Sequence, residues 1–136
     1  MKDSAAFAQL LRIRNMRADN FGRELAQLQR HLAELDERRR DVEVQLRESE
    51  TRASAVLANL LRPGRRVEGW ELERAAEDEL ALRKTSAALA RRRDELERER
   101  AAVEKEIARC ERDLQRARKT ALRTELMEET AREPPH

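Results

Sequence analysis

The chain has 136 residues, of which 43% are charged and only 2% are aromatic. Its 30 basic and 28 acidic side chains nearly cancel, which leaves a net charge of +2. This composition excludes an ordinary globular core, and no apolar run approaches the roughly 18–20 residues of a membrane-spanning helix. High charge is also typical of disorder, but the abundance of Ala, Leu, Glu and Arg favours long helices. A single cysteine excludes an internal disulfide and favours a reducing cytoplasm.

A first helical arm is predicted over about residues 4–61, with Asp3 or Ser4 as its N-cap. Apolar residues fill thirteen of sixteen a and d positions in eight heptads without a change of phase, which predicts a coiled-coil helix roughly 85–90 Å long. The a positions are Leu11, Ala18, Leu25, Leu32, Arg39, Leu46, Ala53 and Leu60, and the d positions are Phe7, Arg14, Phe21, Leu28, Leu35, Val42, Ser49 and Val56.

A bend is predicted at residues 62–69, close to the middle of the chain. Pro63 cannot continue a helix and disfavours helical geometry at Arg62. Gly64 and Gly69 permit the backbone angles that a chain reversal requires. The second helix is then expected to begin at Trp70.

The second arm is predicted over about 70–131, followed by a frayed tail at 132–136. Two seven-residue series run through it, and near its end the apolar row is expected to move to Leu114, Leu122, Leu126 and Met127. The series are Ala75, Leu82, Leu89, Leu96, Val103, Cys110 and Ala117, and Leu72, Glu79, Ser86, Arg93, Arg100, Ile107, Leu114 and Ala121.

Folding at the bend aligns the two arms along their whole length. The expected partners are Leu60 with Leu72, Leu25 with Ile107, Leu11 with Leu122, Phe7 with Leu126, and Arg39 with Asp94 and Glu97. The sequence therefore predicts an all-α fold, with two long helices in one antiparallel coiled-coil hairpin. A parallel homodimer is the alternative, but it would leave the bend without a purpose.

Catalytic and metal-binding chemistry finds little support in the sequence. Two helices side by side offer no water-excluded pocket for converging groups. His31 flanks the seam, and Cys110 falls on it, where a lone cysteine usually packs as a small hydrophobe. We therefore expect neither enzymatic activity nor a cofactor, metal or small-molecule substrate.

Charge is concentrated where the beginning of the first arm meets the end of the second. Residues 12–23 hold four arginines against one aspartate, and residues 109–123 hold six basic against two acidic side chains. No aromatics alternate with these arginines for base stacking, so nucleic acid is an unlikely partner. An acidic protein surface is the expected one, and a smaller basic cluster at Arg62, Arg65 and Arg66 marks the bend.

The opening Phe7-Ala8-Gln9-Leu10-Leu11-Arg12-Ile13-Arg14-Asn15-Met16-Arg17 and the restart Gly69-Trp70-Glu71-Leu72 carry a family resemblance. With the hairpin pattern, they make the chain resemble the FliJ/YscO family of type III secretion stalk proteins. The resemblance implies a stalk in the bacterial cytoplasm, peripheral to a membrane-embedded apparatus. Its terminal half would enter a hexameric secretion ATPase, its bend end would face the export gate, and export chaperones form a further class of partner.

The resemblance implies two candidate sets of partner-binding residues. Those for the ATPase end are Arg12, Arg14, Arg17, Arg116, Arg118 and Lys119, and those for the bend end are Arg65, Arg66, Trp70 and Leu72. Trp70 has two interpretations, as an exposed contact or as a plug folded onto Leu60 and Leu61. A generic scaffolding coiled coil and a nucleic-acid-associated basic hairpin are the alternative functions.

Overall fold

The computed structural model describes residues 2–132, and they form two helices that pack against each other without any strand among them. Helix α1 spans Lys2–Leu60 and helix α2 spans Gly69–Arg132. The predicted all-α hairpin is confirmed. The predicted N-cap at Asp3 or Ser4 is wrong, because both residues are already helical, with Asp3 in the first turn. Arg132 still belongs to α2, and the rest of the predicted frayed tail lies outside the described residues.

The bend reverses the chain through a turn centred on Pro63 and Gly64. The Arg65 amide donates to the Arg62 carbonyl at 3.2 Å, and Gly64 has a φ of 82°. Proline followed by a glycine with positive φ is the signature of a type II turn. Gly69 has no such role, since it begins α2, and Gly64 is the one residue of the described chain with positive φ.

The contacts of the chain fall into two units, each containing part of both helices. Unit 2 is Glu34–Ala101. Its core is formed by residues of the a and d series predicted for the first arm and of the two series predicted for the second arm. Its buried residues are Leu35, Leu46, Ser49, Ala53, Leu60, Ala75, Ser86 and Leu96.

Polar groups on the seam of unit 2 are bonded across the two helices. The Ser86 hydroxyl donates to Ser49 Oγ at 2.8 Å, and the Ser49 hydroxyl donates to the Leu82 carbonyl at 3.1 Å. Arg100 Nε donates to Asp36 Oδ1 at 2.5 Å. As the residue number rises on α1 it falls on α2, so the pairing in this unit is antiparallel.

Arg39 does not form the expected pair with Asp94 and Glu97. Its Nε is buried without a hydrogen-bond partner, and Asp94 pairs with the neighbouring Arg93 at 3.3 Å. A half-buried arginine on an a position keeps its aliphatic stem in the seam, which limits how far the guanidinium reaches towards a charge on the other helix.

Unit 1 comprises Met1–Ala33 and Ala102–His136. Arg14 Nη1 donates to Thr124 Oγ1, the Cys110 thiol donates to the Phe21 carbonyl at 3.3 Å, and Arg132 Nε donates to Ser4 Oγ at 3.5 Å. These bonds establish antiparallel pairing in this unit as well. Its buried residues on α2 are Val103, Cys110, Leu114, Ala121, Thr124 and Glu128.

The predicted shift of the apolar row near the end of α2 is wrong. Thr124 is 0% and Glu128 7% exposed, whereas Leu122 is 56% and Leu126 54% exposed. Leu122 and Leu126 therefore lie outside the seam, although Leu126 borders a shallow groove together with Phe7, its expected partner. The heptad phase of the helix continues instead, and the polar residues that it brings to the seam find partners. Thr124 Oγ1 donates to the Thr120 carbonyl at 3.0 Å, and Glu128 Oε1 accepts from Arg132 at 2.6 Å.

Candidate protein-binding surfaces

Three of the predicted arginines come together on one flank of unit 1. Arg14, Arg17 and Arg116 line a surface groove of about 220 Å³ whose apolar wall includes Phe21. Asp113, Ala117 and Thr120 complete the lining. We call this feature the arginine groove. Three guanidinium groups beside one carboxylate give the groove an excess of positive charge, and guanidinium groups form their strongest hydrogen bonds with carboxylates.

The heptad positions explain why these side chains meet. Arg14 occupies a d position on α1, and Arg17 is the g residue that flanks it. In antiparallel coiled coils the g flank of one helix lies beside the g flank of the other, which on α2 carries Asp113 and Thr120. Arg14 is half-buried and bonded to Thr124, whereas Arg17 and Arg116 are exposed. Arg14 is thus fixed in place, while the other two are free to meet a partner.

The remaining predicted residues of this end lie elsewhere. Arg118 lines a second groove of about 370 Å³ on the opposite flank, together with Asp19 and Arg23. Arg12 and Lys119 are exposed at b and f positions, away from the arginine groove. The basic residues predicted for this end are therefore divided among different faces of unit 1. Three of the six, Arg14, Arg17 and Arg116, lie together in the arginine groove.

Phe21 and Asp113 line the arginine groove but were not among the predicted site residues. The sequence assigned Phe21 to the core because it occupies a d position. The sequence did contain a signal for its second role, because Arg17 lies on the adjacent g flank. A narrow two-helix seam covers an aromatic ring only in part, and the uncovered part can contact neighbouring cations.

At the bend, Trp70 is exposed rather than enclosed. Its side chain is 59% exposed, and Nε1 donates to Glu68 Oε2 at 2.7 Å. One side of the indole borders a groove of about 350 Å³ that also contains Leu60 and Arg65. An indole held by one hydrogen bond and largely open to solvent favours the contact interpretation over the plug.

The other predicted bend residues surround Trp70 without forming a single pocket. Arg65 Nη2 pairs with Glu71 Oε2 at 3.4 Å, while Arg66 and Leu72 are exposed. Leu61 is also exposed, so three large apolar side chains stand near the bend. The bend end therefore combines exposed apolar surface with basic groups.

Cys110 has the environment of a packed, unreactive thiol. Burial raises the pKa of the Cys110 thiol, and the nearby Glu24 carboxylate raises it further. A protonated thiol is a poor nucleophile and a poor metal ligand. Among residues 2–132, no group of three or more His, Cys, Asp or Glu side chains is placed to hold a metal ion. Neither described helix contains a stretch long and apolar enough to cross a membrane.

Comparisons with protein-family models, with curated proteins and with solved structures give no match. The resemblance to the type III secretion stalk family rests on the residues quoted for it and on the hairpin.

Proposed function

We propose that the chain is a non-enzymatic stalk and adaptor protein of a type III secretion export apparatus. Unit 1 would dock into a hexameric secretion ATPase, and the bend end would face an export-gate protein. Export chaperones would be further partners. The proposal places the protein in the bacterial cytoplasm, peripheral to the membrane-embedded apparatus.

The observation that carries this proposal is the gathering of Arg14, Arg17 and Arg116 in one groove of unit 1. The first turn of α1 and the last turn of α2 belong to this unit, and the family resemblance assigns the terminal half of the hairpin to the ATPase. A cationic groove fits the acidic surface of a ring lumen better than it fits nucleic acid. A single half-buried Phe21 cannot supply the successive stacking platforms that single strands use.

The test is a charge reversal restricted to exposed groups. Arg14 is bonded within the seam, so its replacement would confuse binding with stability. The double variant Arg17→Glu/Arg116→Glu avoids this problem, because both side chains are exposed. We expect it to lose association with the purified ATPase hexamer and stimulation of ATP hydrolysis, while its helical circular dichroism is unchanged.

A matched control is Arg38→Glu/Arg91→Glu, which makes the same change of charge on exposed residues of unit 2. It should bind and stimulate as the unmodified chain does. Binding of the unmodified chain should weaken as salt rises, since exposed charges are screened over about 8–10 Å. A folded Arg17→Glu/Arg116→Glu variant that still binds and stimulates the hexamer would refute the docking proposal.

A further inference from the structure

Large apolar side chains lie exposed beside the arginine groove, on the same flank of unit 1. Leu10 is 37% exposed and Ile13 is 45% exposed on α1, and Met127 is 54% exposed on α2. Met127 and the half-buried Phe7 also line a shallow groove of about 400 Å³ with Leu126, Thr130 and Ala131. In this apolar patch (Phe7, Leu10, Ile13, Leu126 and Met127), Phe7 belongs to the edge of the seam that joins the helices, and the other four residues lie outside it.

The heptad positions of the patch show that it widens the apolar stripe on each helix. Leu10 and Met127 are g residues, and Ile13 is the c residue next to that flank. In a strict two-helix coiled coil, only the a and d positions are apolar. A helix whose g positions are also apolar has a wider stripe, which can pack against more than one neighbouring helix. At this end of the hairpin, therefore, both helices have the pattern of members of a three-helix bundle.

The seam beneath the patch has the opposite character. Thr124 and Glu128 are buried there, and Arg14 bonds to Thr124 across the two helices. Polar groups thus occupy positions between the helices, while apolar side chains occupy the flank outside them. Two helices alone gain nothing from this arrangement, because the apolar area on the flank stays in water. A third element on the flank would cover it.

The charge of the flank indicates what that element carries. One heptad along α1 from Leu10 is Arg17, and about two to three turns along α2 from Met127 are Thr120 and Arg116. A ligand lying along the flank would pass from the apolar patch to the arginine groove, which has three arginines and one carboxylate. A second copy of this chain fits poorly, because a self-complementary contact would join two surfaces with surplus positive charge.

We propose that this flank binds an amphipathic helix of a partner protein as the third helix of a local bundle. Its apolar residues, spaced three and four apart, would cover the patch, and acidic residues further along the same face would enter the arginine groove. This inference deepens the proposed function and rests on it only for the identity of the protein that carries the helix.

The probe is a synthetic amphipathic peptide of about three to four heptads. It has leucine at the interface positions of one half and glutamate at those of the other half. Fluorescence polarisation with the full chain should show saturable binding. A scrambled peptide of the same composition, which keeps the charge but removes the face, should bind at least tenfold more weakly.

Variants of the chain separate the apolar and the charged contributions. Ile13→Asp/Met127→Asp should weaken peptide binding by at least tenfold at any salt concentration, because it removes apolar contact. Arg17→Glu/Arg116→Glu should weaken it mainly at low salt. The matched control for the first pair is Leu80→Asp, an exposed apolar residue of unit 2 that should leave binding unchanged.

Two results would overturn the inference. Equal binding of the scrambled peptide would show attraction by charge alone. A chain that forms dimers in sedimentation, becomes monomeric on Ile13→Asp/Met127→Asp and does not bind the peptide would identify a second copy as the occupant. Peptide binding by the unmodified chain, together with hexamer association that survives Ile13→Asp/Met127→Asp, would support the third helix and assign it to a partner other than the ATPase. Conversely, peptide binding without hexamer binding would refute the stalk function alone.

Discussion

Replacing Glu128 by leucine should stabilise the protein, although the substitution removes an ion pair. The Glu128 side chain is 9% exposed and its partner Arg132 is 63% exposed, so the carboxylate loses its hydration while the guanidinium keeps most of its own. Exchanging a whole buried ion pair for apolar residues of similar volume is often neutral or stabilising by about 1–4 kcal/mol, and removing one member is costly only where the other charge stays buried, which the exposed Arg132 does not. The lost pair with a largely exposed arginine is worth about 0–1 kcal/mol. We expect Glu128→Leu to raise the free energy of unfolding by about 1–3 kcal/mol.

The matched variant is Leu126→Glu, two residues earlier on the same helix. Leu126 is 54% exposed, so a charge there should change the free energy of unfolding by no more than about 0.5 kcal/mol. Urea unfolding followed by circular dichroism measures both variants, provided that the slope of free energy against urea is unchanged. If Leu126→Glu costs about 3 kcal/mol or more and Glu128→Leu also destabilises, the seam runs through Leu126 and the burial argument fails.

Replacing Gly22 and Gly64 by alanine should change the free energy of unfolding in opposite directions. Gly22→Ala should stabilise by about 0.5–1 kcal/mol, because an added Cβ at this position within α1 meets nothing within 4 Å; a loss of stability in urea would contradict this. Gly64→Ala should cost about 1–2 kcal/mol despite equally open space, because its φ of 82° is unfavourable for alanine; an unchanged unfolding midpoint would show that the turn can rearrange. Trp70→Ala should leave the melting temperature nearly unchanged and weaken binding to the export-gate partner, whereas a large drop in melting temperature would restore the plug interpretation.

The sequence was sufficient to predict the hairpin because its two strongest signals agree. The heptad pattern in each arm sets which face is buried, and Leu35 and Leu96, both on predicted seam positions, are each 1% exposed. Pro63 followed by Gly64 determines where the chain reverses, since few other residue pairs favour that turn. Both signals are local in sequence and depend on steric and solvation effects that hold in any context.

The end of α2 could not be predicted from apolarity alone. Leu122, Leu126 and Met127 suggested a change of heptad phase, but such a change locally unwinds or overwinds a coiled coil. Keeping the phase requires burying Thr124 and Glu128, and bonds to Thr120 and Arg132 one turn away offset part of the cost. A prediction of the buried face therefore has to consider the hydrogen-bond partners within one turn as well as the apolar pattern. The three arginines of the arginine groove were predicted, but their separation from Arg12, Arg118 and Lys119 was not. A count of charge in a window of sequence does not distinguish the two flanks of a helix.

The polar groups on the seam of unit 1 contribute more to register than to stability. Arg14 on α1 meets Thr124 on α2, and this bond holds only when the two helices are correctly aligned. A slip of one heptad would bring Arg14 opposite Ala117 or Ala131 instead, neither of which has a side chain that accepts a hydrogen bond. The unpaired guanidinium would then cost about 1–3 kcal/mol where it is buried. The same alignment brings Arg17 and Arg116 to one groove, although they lie far apart in sequence. The bond that favours this register therefore also favours the assembly of the arginine groove.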